Sequence, residues 1–134
     1  MIKIFFKTEG RIARLPFFGY NIMASLSAFA IVLLGFYMLD KNTAVNIVAI
    51  SLMLGAIVAA SWANVVLVMK RLKDINYSPY LVIPIMACNI FGSVIQTAAP
   101  ELSLALSLAV IIAYLFLLFV PGTNGDNQYG EQPK

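Results

Sequence analysis

Residues 42–69 read NTAVNIVAISLMLGAIVAASWANVVLVM and contain no charged side chain. An α-helix rises about 1.5 Å per residue, so about 20 such residues cross the roughly 30 Å hydrocarbon core of a bilayer. A chain of 134 residues is too small to bury this much apolar surface in a soluble core. The sequence therefore predicts an integral membrane protein. Three further uncharged stretches, each longer than 20 residues, cover 17–39, 75–100 and 102–125.

The predicted fold is all-α. Only helices and closed barrels satisfy every backbone amide in hydrocarbon, and none of these stretches alternates apolar and polar residues as a barrel strand does. The sequence indicates one domain, residues 1–134, folded as a four-helix membrane bundle. A short amphipathic segment precedes the first span. The first span is too long to be the apolar part of a cleaved signal peptide, which has about 7–15 residues. The predicted spans are 17–39, 44–69, 79–99 and 102–120, followed by a polar, glycine-rich tail at 121–134.

Composition agrees with this class, since 61% of the residues are hydrophobic and 11% are charged, where a soluble domain has about 25% charged. Cys88 is the single cysteine and histidine is absent, so we expect no disulfide framework, no metal site and no cofactor. The basic residues flank the spans, which favours anionic lipid headgroups as partners and argues against nucleic acid.

The distribution of basic residues predicts the orientation. Seven of the nine lie before the first span or between the second and third. Short loops that are rich in Lys and Arg remain in the cytoplasm. We therefore expect four crossings with both termini cytoplasmic.

Polar residues inside the spans are few and uncharged. Proton relays and ion sites in membranes depend on charged or histidine side chains, so their absence argues against an ion-coupled transporter and against an enzyme. Asn64 is the most informative polar residue, and we expect its amide to bond another helix. The alternative is a small transporter or channel in which Asn64, Ser61 and Ser25 line an inward cavity.

Small residues recur every four positions in the second span, at Ser51, Gly55 and Ala59. Small side chains let helix backbones approach closely, which is how helices associate in lipid. We therefore expect this stripe to face other helices.

Three polar segments fall on the predicted cytoplasmic face: GRIAR at 10–14, KRLKD at 70–74 and GTNGDNQYG at 122–130. On a helix Lys70 can pair with Asp74, which leaves Arg71 for a lipid phosphate or the tail. Two readings are open: separate anchors with a loose tail, or one cytoplasmic cap in which an arginine holds the tail and Tyr129 packs at the interface. The candidate residues are Arg11, Arg14, Lys70, Arg71, Asp74, Gly122, Asn127 and Tyr129.

These segments resemble, in the same order, the motifs of the bacterial inner-membrane family known as domain of unknown function 805. The first motif is matched by Gly10, Arg11, Arg14, Phe17 and Phe18. The middle motif is matched by Arg71, Leu72, Asp74 and Ser78, with Lys70, Lys73, Asn76, Pro79 and Tyr80 replacing the family's Arg, His, Gly, Gly and Trp. The tail motif is matched by Gly122, Thr123, Gly125, Asn127, Tyr129, Gly130 and Pro133.

The resemblance implies a multi-pass protein of the bacterial inner membrane and supplies no activity. It also favours the reading in which the three segments form one cap. The predicted function is therefore non-enzymatic: a membrane protein whose basic cytoplasmic cap binds anionic lipid or a protein partner, with a homo-oligomer as one such assembly.

Overall fold

The computed structural model describes residues 5, 7–39 and 42–133, and this part of the chain folds into helices without a β-strand. The all-α prediction is confirmed. In chain order the helices are α1 (Arg14–Met38), α2 (Thr43–Asp74), α3 (Val82–Val94) and α4 (Pro100–Phe119), with a short 3-10 helix (Pro79–Leu81) that leads into α3.

Helices α1, α2 and α4 are long and apolar enough to cross a membrane, with 25, 32 and 20 residues. Their apolar side chains face outward along most of their length. Leu15, Val58 and Phe119, for example, are 82%, 67% and 69% exposed. An apolar surface of this extent is stable in lipid, whereas in water it would drive aggregation.

Helix α3 is shorter than the predicted span of 79–99. Its 13 residues, with the three of the 3-10 helix, rise about 25 Å. The chain turns after Val94, where the N–H groups of Ala98 and Ala99 both donate to the carbonyl of Ile95, at 3.0 and 2.8 Å. Pro100 then begins α4, because a proline in the first turn loses no needed hydrogen bond. In the described residues three helices, rather than four, reach the length of a full span.

Both ends of α2 are defined by asparagines. The Asn42 side chain accepts a 2.9 Å bond from the N–H of Val45 and so caps the first turn. At the other end Asn76 has a φ of 62°, the left-handed conformation that follows many helices. The N–H of Tyr77 then bonds the carbonyl of Leu72 at 2.9 Å, which closes the last turn. Asparagine adopts this conformation readily, so it replaces the glycine of the family motif without disturbing the turn.

The helices pair as two antiparallel hairpins. In the first, Gly35 of α1 is buried against the side chain of Met53 and the carbonyl of Ala49 on α2. In the second, the Ser103 hydroxyl of α4 donates to the carbonyl of Gly92 on α3 at 2.7 Å. Both contacts depend on small residues that let the backbones approach closely.

The stripe of Ser51, Gly55 and Ala59 is not packed against another helix, although Ala59 borders the cavity between α1 and α2. All three residues are exposed, and a β-carbon added at Gly55 would meet nothing within 4 Å. The predicted packing role of this stripe is therefore wrong. Helix α2 has a second set of small residues, including the buried Ala49 and Ala63, and that set lies on the face that α1 covers. Periodicity alone does not tell which of two such stripes a neighbouring helix covers.

The two hairpins join at one end through a cluster of buried apolar side chains, which closes the bundle there. Farther along the helices, cavities separate the hairpins: about 470 Å³ between α1 and α4, and about 650 Å³ between α2 and α3. The buried cluster contains Ile12, Phe17, Leu67, Val68, Leu72, Ile75, Val82 and Leu117.

Candidate functional site: the terminal cap

The three polar segments identified in the sequence meet at the closed end of the bundle. We call residues 10–14, 70–74 and 122–130 the terminal cap. Helix α1 begins in the first segment, α2 ends in the second, and the third follows α4. Helix ends leave backbone N–H and C=O groups without partners, so the side chains of the cap have many groups to satisfy.

Asp74 lies at the centre of the terminal cap. Its Oδ1 accepts bonds from Nε and Nη2 of Arg11 at 3.2 and 3.1 Å, and its Oδ2 accepts a bond from Nη1 of Arg71. Both arginine side chains are fully buried, and Asp74 is 4% exposed. A buried carboxylate needs paired charges and hydrogen bonds to replace its hydration, and the two guanidinium groups supply both.

Arg11 also binds the tail. Its Nη2 donates to the carbonyl and the hydroxyl of Thr123 at 2.7 and 2.8 Å. Its Nη1 donates to the carbonyls of Gly125 and Gly130 at 2.8 and 3.2 Å. Both glycines have positive φ, 78° and 126°, and so allow the tail to turn around the guanidinium. The predicted contact between a cap arginine and residues 122–130 is present.

Arg71 binds the end of α4. Its Nε donates to the carbonyl of Leu117 at 2.7 Å, and its Nη2 donates to the carbonyl of Val120. Carbonyls at a helix C-terminus lack intrahelical partners and carry the negative end of the helix dipole, so a cation is favoured there. Burial lowers the pKa of the Arg71 guanidinium, the Asp74 carboxylate raises it, and the nearby Arg14 lowers it. An arginine stays protonated under such opposing shifts.

This arrangement corrects the expectation that Arg71 is left for a lipid phosphate or the tail, because Arg71 is itself a partner of Asp74. Arg71 is 0% exposed and its donors are used inside the protein. Residues three apart on a helix approach as readily as residues four apart, so Arg71 reaches the carboxylate. Lys70 is itself buried, and burial, followed by the charge of Lys73, lowers the pKa of its ammonium group.

The tail in turn caps α2. The N–H and hydroxyl of Thr123 donate to the backbone carbonyl of Asp74 at 2.8 and 2.9 Å. The Asn127 amide donates to the carbonyl of Lys73 and to the Thr123 hydroxyl, each at 2.9 Å. Gly122 permits this approach, because a β-carbon there would overlap the Asp74 carboxylate. The candidate residues Gly122 and Asn127 therefore hold the tail in place.

The start of the chain docks on the same end. The Lys73 ammonium donates to the carbonyl of Thr8 at 2.8 Å. The Phe5 ring contacts Tyr20 edge to face, with ring centroids 5.5 Å apart. The rest of the predicted amphipathic segment, residues 1–4 and 6, lies outside the described residues.

Two further candidates occupy the edge of the terminal cap. Tyr129 is half-buried, and its N–H donates to Asn127 Oδ1 at 2.9 Å. Arg14 is exposed, and among the described residues no acidic side chain lies within ion-pair distance of it. Sequence reasoning did not single out Thr123, although the family's tail motif includes it.

Asn64 belongs to a second polar cluster, inside the predicted membrane region. Its Nδ2 donates to Oδ1 of Asn21 at 2.9 Å, and the Tyr114 hydroxyl donates to its Oδ1. These bonds link α1, α2 and α4 across the two hairpins. The expected bond from Asn64 to another helix is confirmed, and Asn21 and Tyr114 are partners that sequence reasoning missed.

The polar residues of the transporter alternative do not share one cavity. Ser61 and Asn64 line the cavity between α2 and α3, whereas Ser25 lines the cavity between α1 and α4. Ser61 is exposed, and its hydroxyl donates to the carbonyl of Ile57 in its own helix at 2.8 Å. The walls around these residues are largely apolar, as Val58 illustrates.

The described part of the chain contains no group of three His, Cys, Asp or Glu side chains that could hold a metal ion. Each of its buried side-chain nitrogen and oxygen atoms has a hydrogen-bond partner. The chemistry of the terminal cap is thus that of guanidinium groups bound to a carboxylate and to backbone carbonyls.

The structure is that of a helical membrane protein. Its helices are long and apolar, and a buried cluster of two arginines and an aspartate joins their ends. The family described as Protein of unknown function (DUF805) matches residues 5–131, so this chain belongs to that family. The match includes all three cap segments and confirms the resemblance seen in their motifs. Neither the curated proteins nor the solved structures gave a match.

Proposed function

We propose that this protein is a non-enzymatic, multi-pass component of the bacterial inner membrane whose terminal cap lies in the cytoplasm and binds anionic lipid headgroups. The observation that carries the proposal is the excess of positive charge on a fixed scaffold. Segments 7–14 and 70–74 carry six basic side chains against two acidic ones. The tail adds two acidic side chains, Asp126 and Glu131, both exposed, and one basic residue, Lys134, so this end keeps a positive excess.

Electrostatics at the membrane surface support this partner. Basic residues next to a membrane span are attracted to an anionic leaflet by about 1 kcal/mol each. The buried pairing of Arg11 and Arg71 with one carboxylate leaves a net positive charge at the centre of the cap. A scaffold that fixes several cations beside the headgroup region binds anions with little loss of side-chain entropy.

A binding role fits the polar chemistry better than catalysis does. Acyl or phosphoryl transfer needs an activated nucleophile or a general base. The polar groups at the centre of the terminal cap are committed to hydrogen bonds that hold helix ends and the tail. We infer that the cap acts by holding other molecules rather than by transforming them.

The transporter alternative has less support. The Asn64 amide nitrogen donates to Asn21 and its amide oxygen accepts from Tyr114, so both groups already have partners in the protein. A path from Asn64 toward the terminal cap would have to open the buried cluster that includes Leu67 and Leu117, which are 0% and 1% exposed.

The test is a comparison of lipid retention. The full chain, purified in mild detergent, is titrated with phosphatidylglycerol or with phosphatidylcholine of the same acyl chains, and bound lipid is counted by native mass spectrometry. We expect the anionic lipid to be retained at clearly lower concentration. Equal retention of the two lipids would overturn the proposal.

A further inference from the structure

One arginine of the terminal cap, Arg14, forms no ion pair among the described residues. Arg11 and Arg71 are buried and bonded, whereas Arg14 is exposed and has no carboxylate within ion-pair distance in the described part of the chain. It stands close enough to Arg71 for its charge to lower the pKa of that buried group. Among the described residues, this corner of the cap has three guanidinium groups and one carboxylate, Asp74, and so an excess of positive charge. An anion is the natural complement.

A polar cleft lies beside Arg14. It has a volume of about 200 Å³ and lies between Ala13 and Arg14 at the start of α1 and Pro121 and Gly122 after α4. Arg71 and Asp74 also line it, and the charge of the Asp74 carboxylate is compensated by its pairs with two arginines. A guanidinium is suited to phosphate because its planar fork can donate two parallel hydrogen bonds. The cleft therefore offers a phosphate an exposed guanidinium next to the predicted membrane boundary.

An apolar groove begins about one turn of α1 beyond this cleft. The 470 Å³ cavity between α1 and α4 is bounded by Phe18 and Ser25 on α1 and by Leu118 and Ile111 on α4. Arg14, Phe18 and Ser25 are spaced by four and seven residues, so they lie on one face of α1. Arg14 therefore stands about one turn beyond the end of the groove, on the same face of α1.

The length of the groove matches one leaflet of a bilayer. From Phe17 to Leu26, the first and last residues of α1 that line it, the helix rises about 13 Å, close to half of the 30 Å hydrocarbon core. An α-helix of that length, about 10 Å across, occupies more than about 1,000 Å³, over twice the volume of the groove. A single hydrocarbon chain is narrow enough to enter it, so a lipid chain fits this groove better than a helix of a partner protein.

We propose that the groove between α1 and α4 holds an acyl chain of an anionic phospholipid whose phosphate binds the Arg14 guanidinium. This inference rests on the proposed function and assigns it to one residue and one groove. The headgroup occupies the polar cleft, and the chain covers apolar side chains such as Phe18 and Ile111, which are otherwise about half exposed. The protein then binds a particular lipid in a fixed place, in addition to the general attraction of its basic surface.

The headgroup half of the site is tested by Arg14→Gln. Arg14→Lys keeps the charge without the fork, and Lys7→Gln removes an exposed charge from the same end of the chain. Titration with phosphatidylglycerol, read by native mass spectrometry, should give a dissociation constant about tenfold higher for Arg14→Gln, from the loss of a charge-assisted hydrogen bond. Arg14→Lys should be intermediate, and Lys7→Gln, which loses only the general attraction of the basic surface, should weaken binding less than Arg14→Gln does. Thermal midpoints should not fall, because Arg14 is exposed and its charge opposes that of the buried Arg71.

The chain half is tested by Ser25→Phe, which fills the groove. Ser51→Phe is its matched control, because Ser51 is an exposed serine on α2 and does not line the groove between α1 and α4. We expect Ser25→Phe to weaken phosphatidylglycerol binding severalfold and Ser51→Phe to leave it unchanged. Glycerol phosphate, which has the anion without the chains, should fail to displace the bound lipid at equal concentration.

The outcomes separate this inference from the proposed function. If the wild type does not prefer phosphatidylglycerol over phosphatidylcholine, the proposed function fails and this inference fails with it. If the preference exists but Arg14→Gln and Ser25→Phe both leave it intact, only the inference is overturned. The inference would also be overturned if glycerol phosphate alone displaced the bound phosphatidylglycerol. It would be overturned as well if Ser25→Phe released a bound polypeptide and not a lipid.

Discussion

Arg11 and Asp74 are 63 residues apart in the sequence, yet two guanidinium nitrogens of Arg11 lie 3.2 and 3.1 Å from one carboxylate oxygen of Asp74. The same guanidinium donates to Thr123, Gly125 and Gly130 in the tail. One buried ion pair therefore joins the start of α1, the end of α2 and the chain after α4. The terminal cap should accordingly be lost or kept as a unit.

The first prediction concerns Asp74→Asn. This change leaves Arg11 and Arg71 buried without their counter-charge, and breaking a buried pair in this way costs about 3–5 kcal/mol. We expect a large fall in the thermal midpoint in detergent. Glu9→Gln is the control, because it makes the same change in net charge at an exposed position. Similar midpoints for the two variants would show that the pair contributes little.

The second prediction concerns the tail. Arg11→Lys keeps a positive charge but loses the fork that reaches several carbonyls at once. Hydrogen exchange in residues 122–130 should therefore accelerate, including at Gly130, whose N–H bonds the carbonyl of Asn127 at 3.0 Å. Arg14→Lys should leave this exchange as in the wild type. Fast exchange in the wild type itself would contradict a docked tail.

The helices and the meeting of the three cap segments could be predicted from the sequence. Uncharged stretches of more than 20 residues have few alternatives to helices in lipid, and basic segments at alternating ends of such helices fall on one face. Asn76, which stands where the family motif has Gly, has a φ of 62°, a conformation that asparagine adopts readily. The need to satisfy backbone amides in lipid and the placement of basic segments on one side leave patterns that a single sequence displays.

The partners within the cap could not be predicted in the same way. The spacing of Lys70, Arg71 and Asp74 allows either basic residue to reach the carboxylate, and the choice depends on the carbonyls at the end of α4. The end of α3 was missed for a similar reason: residues 95–99 are apolar enough to continue a helix, but the antiparallel return to α4 requires a turn there. Such choices depend on tertiary neighbours, which one sequence does not display.

The third prediction concerns orientation. The position of the basic residues predicts that the terminal cap and both termini lie in the cytoplasm. Reporter fusions after residue 134 and in the connection at residues 40–43 should report opposite sides of the membrane. The same side for both fusions would contradict the proposed topology, in which α1 crosses and α2 returns.

The fourth prediction compares two glycines. Gly35 packs against Met53 and Ala49, whereas a side chain at Gly55 would enter open space. Gly35→Leu should lower stability by about 1–3 kcal/mol, the usual cost of overpacking. Gly55→Leu should be neutral or stabilising, because a helix-interior glycine is itself costly. The pair is measured by thermal unfolding in the same detergent, and a greater loss for Gly55→Leu would contradict the assigned face of α2.

The last prediction separates a packing role of Asn64 from a transport role. Asn64 bonds Asn21 and Tyr114 between hairpins, so removal of its amide should weaken their association. Interhelical hydrogen bonds in membranes average about 0.6 kcal/mol, with values up to about 1.7. A double-mutant cycle of Asn64→Ala and Tyr114→Phe should give a coupling energy in this range.

Ser61→Ala is the control for that cycle. Its hydroxyl bonds only within α2, at Ile57, so its loss should change stability little and should show no coupling with Tyr114→Phe. A polar lining for a solute predicts a different pattern: Asn64→Ala and Ser61→Ala would both leave stability intact, because polar groups that face a water-filled path need no helix partner. Coupling at Asn64 together with silence at Ser61 assigns the amide to holding the hairpins together.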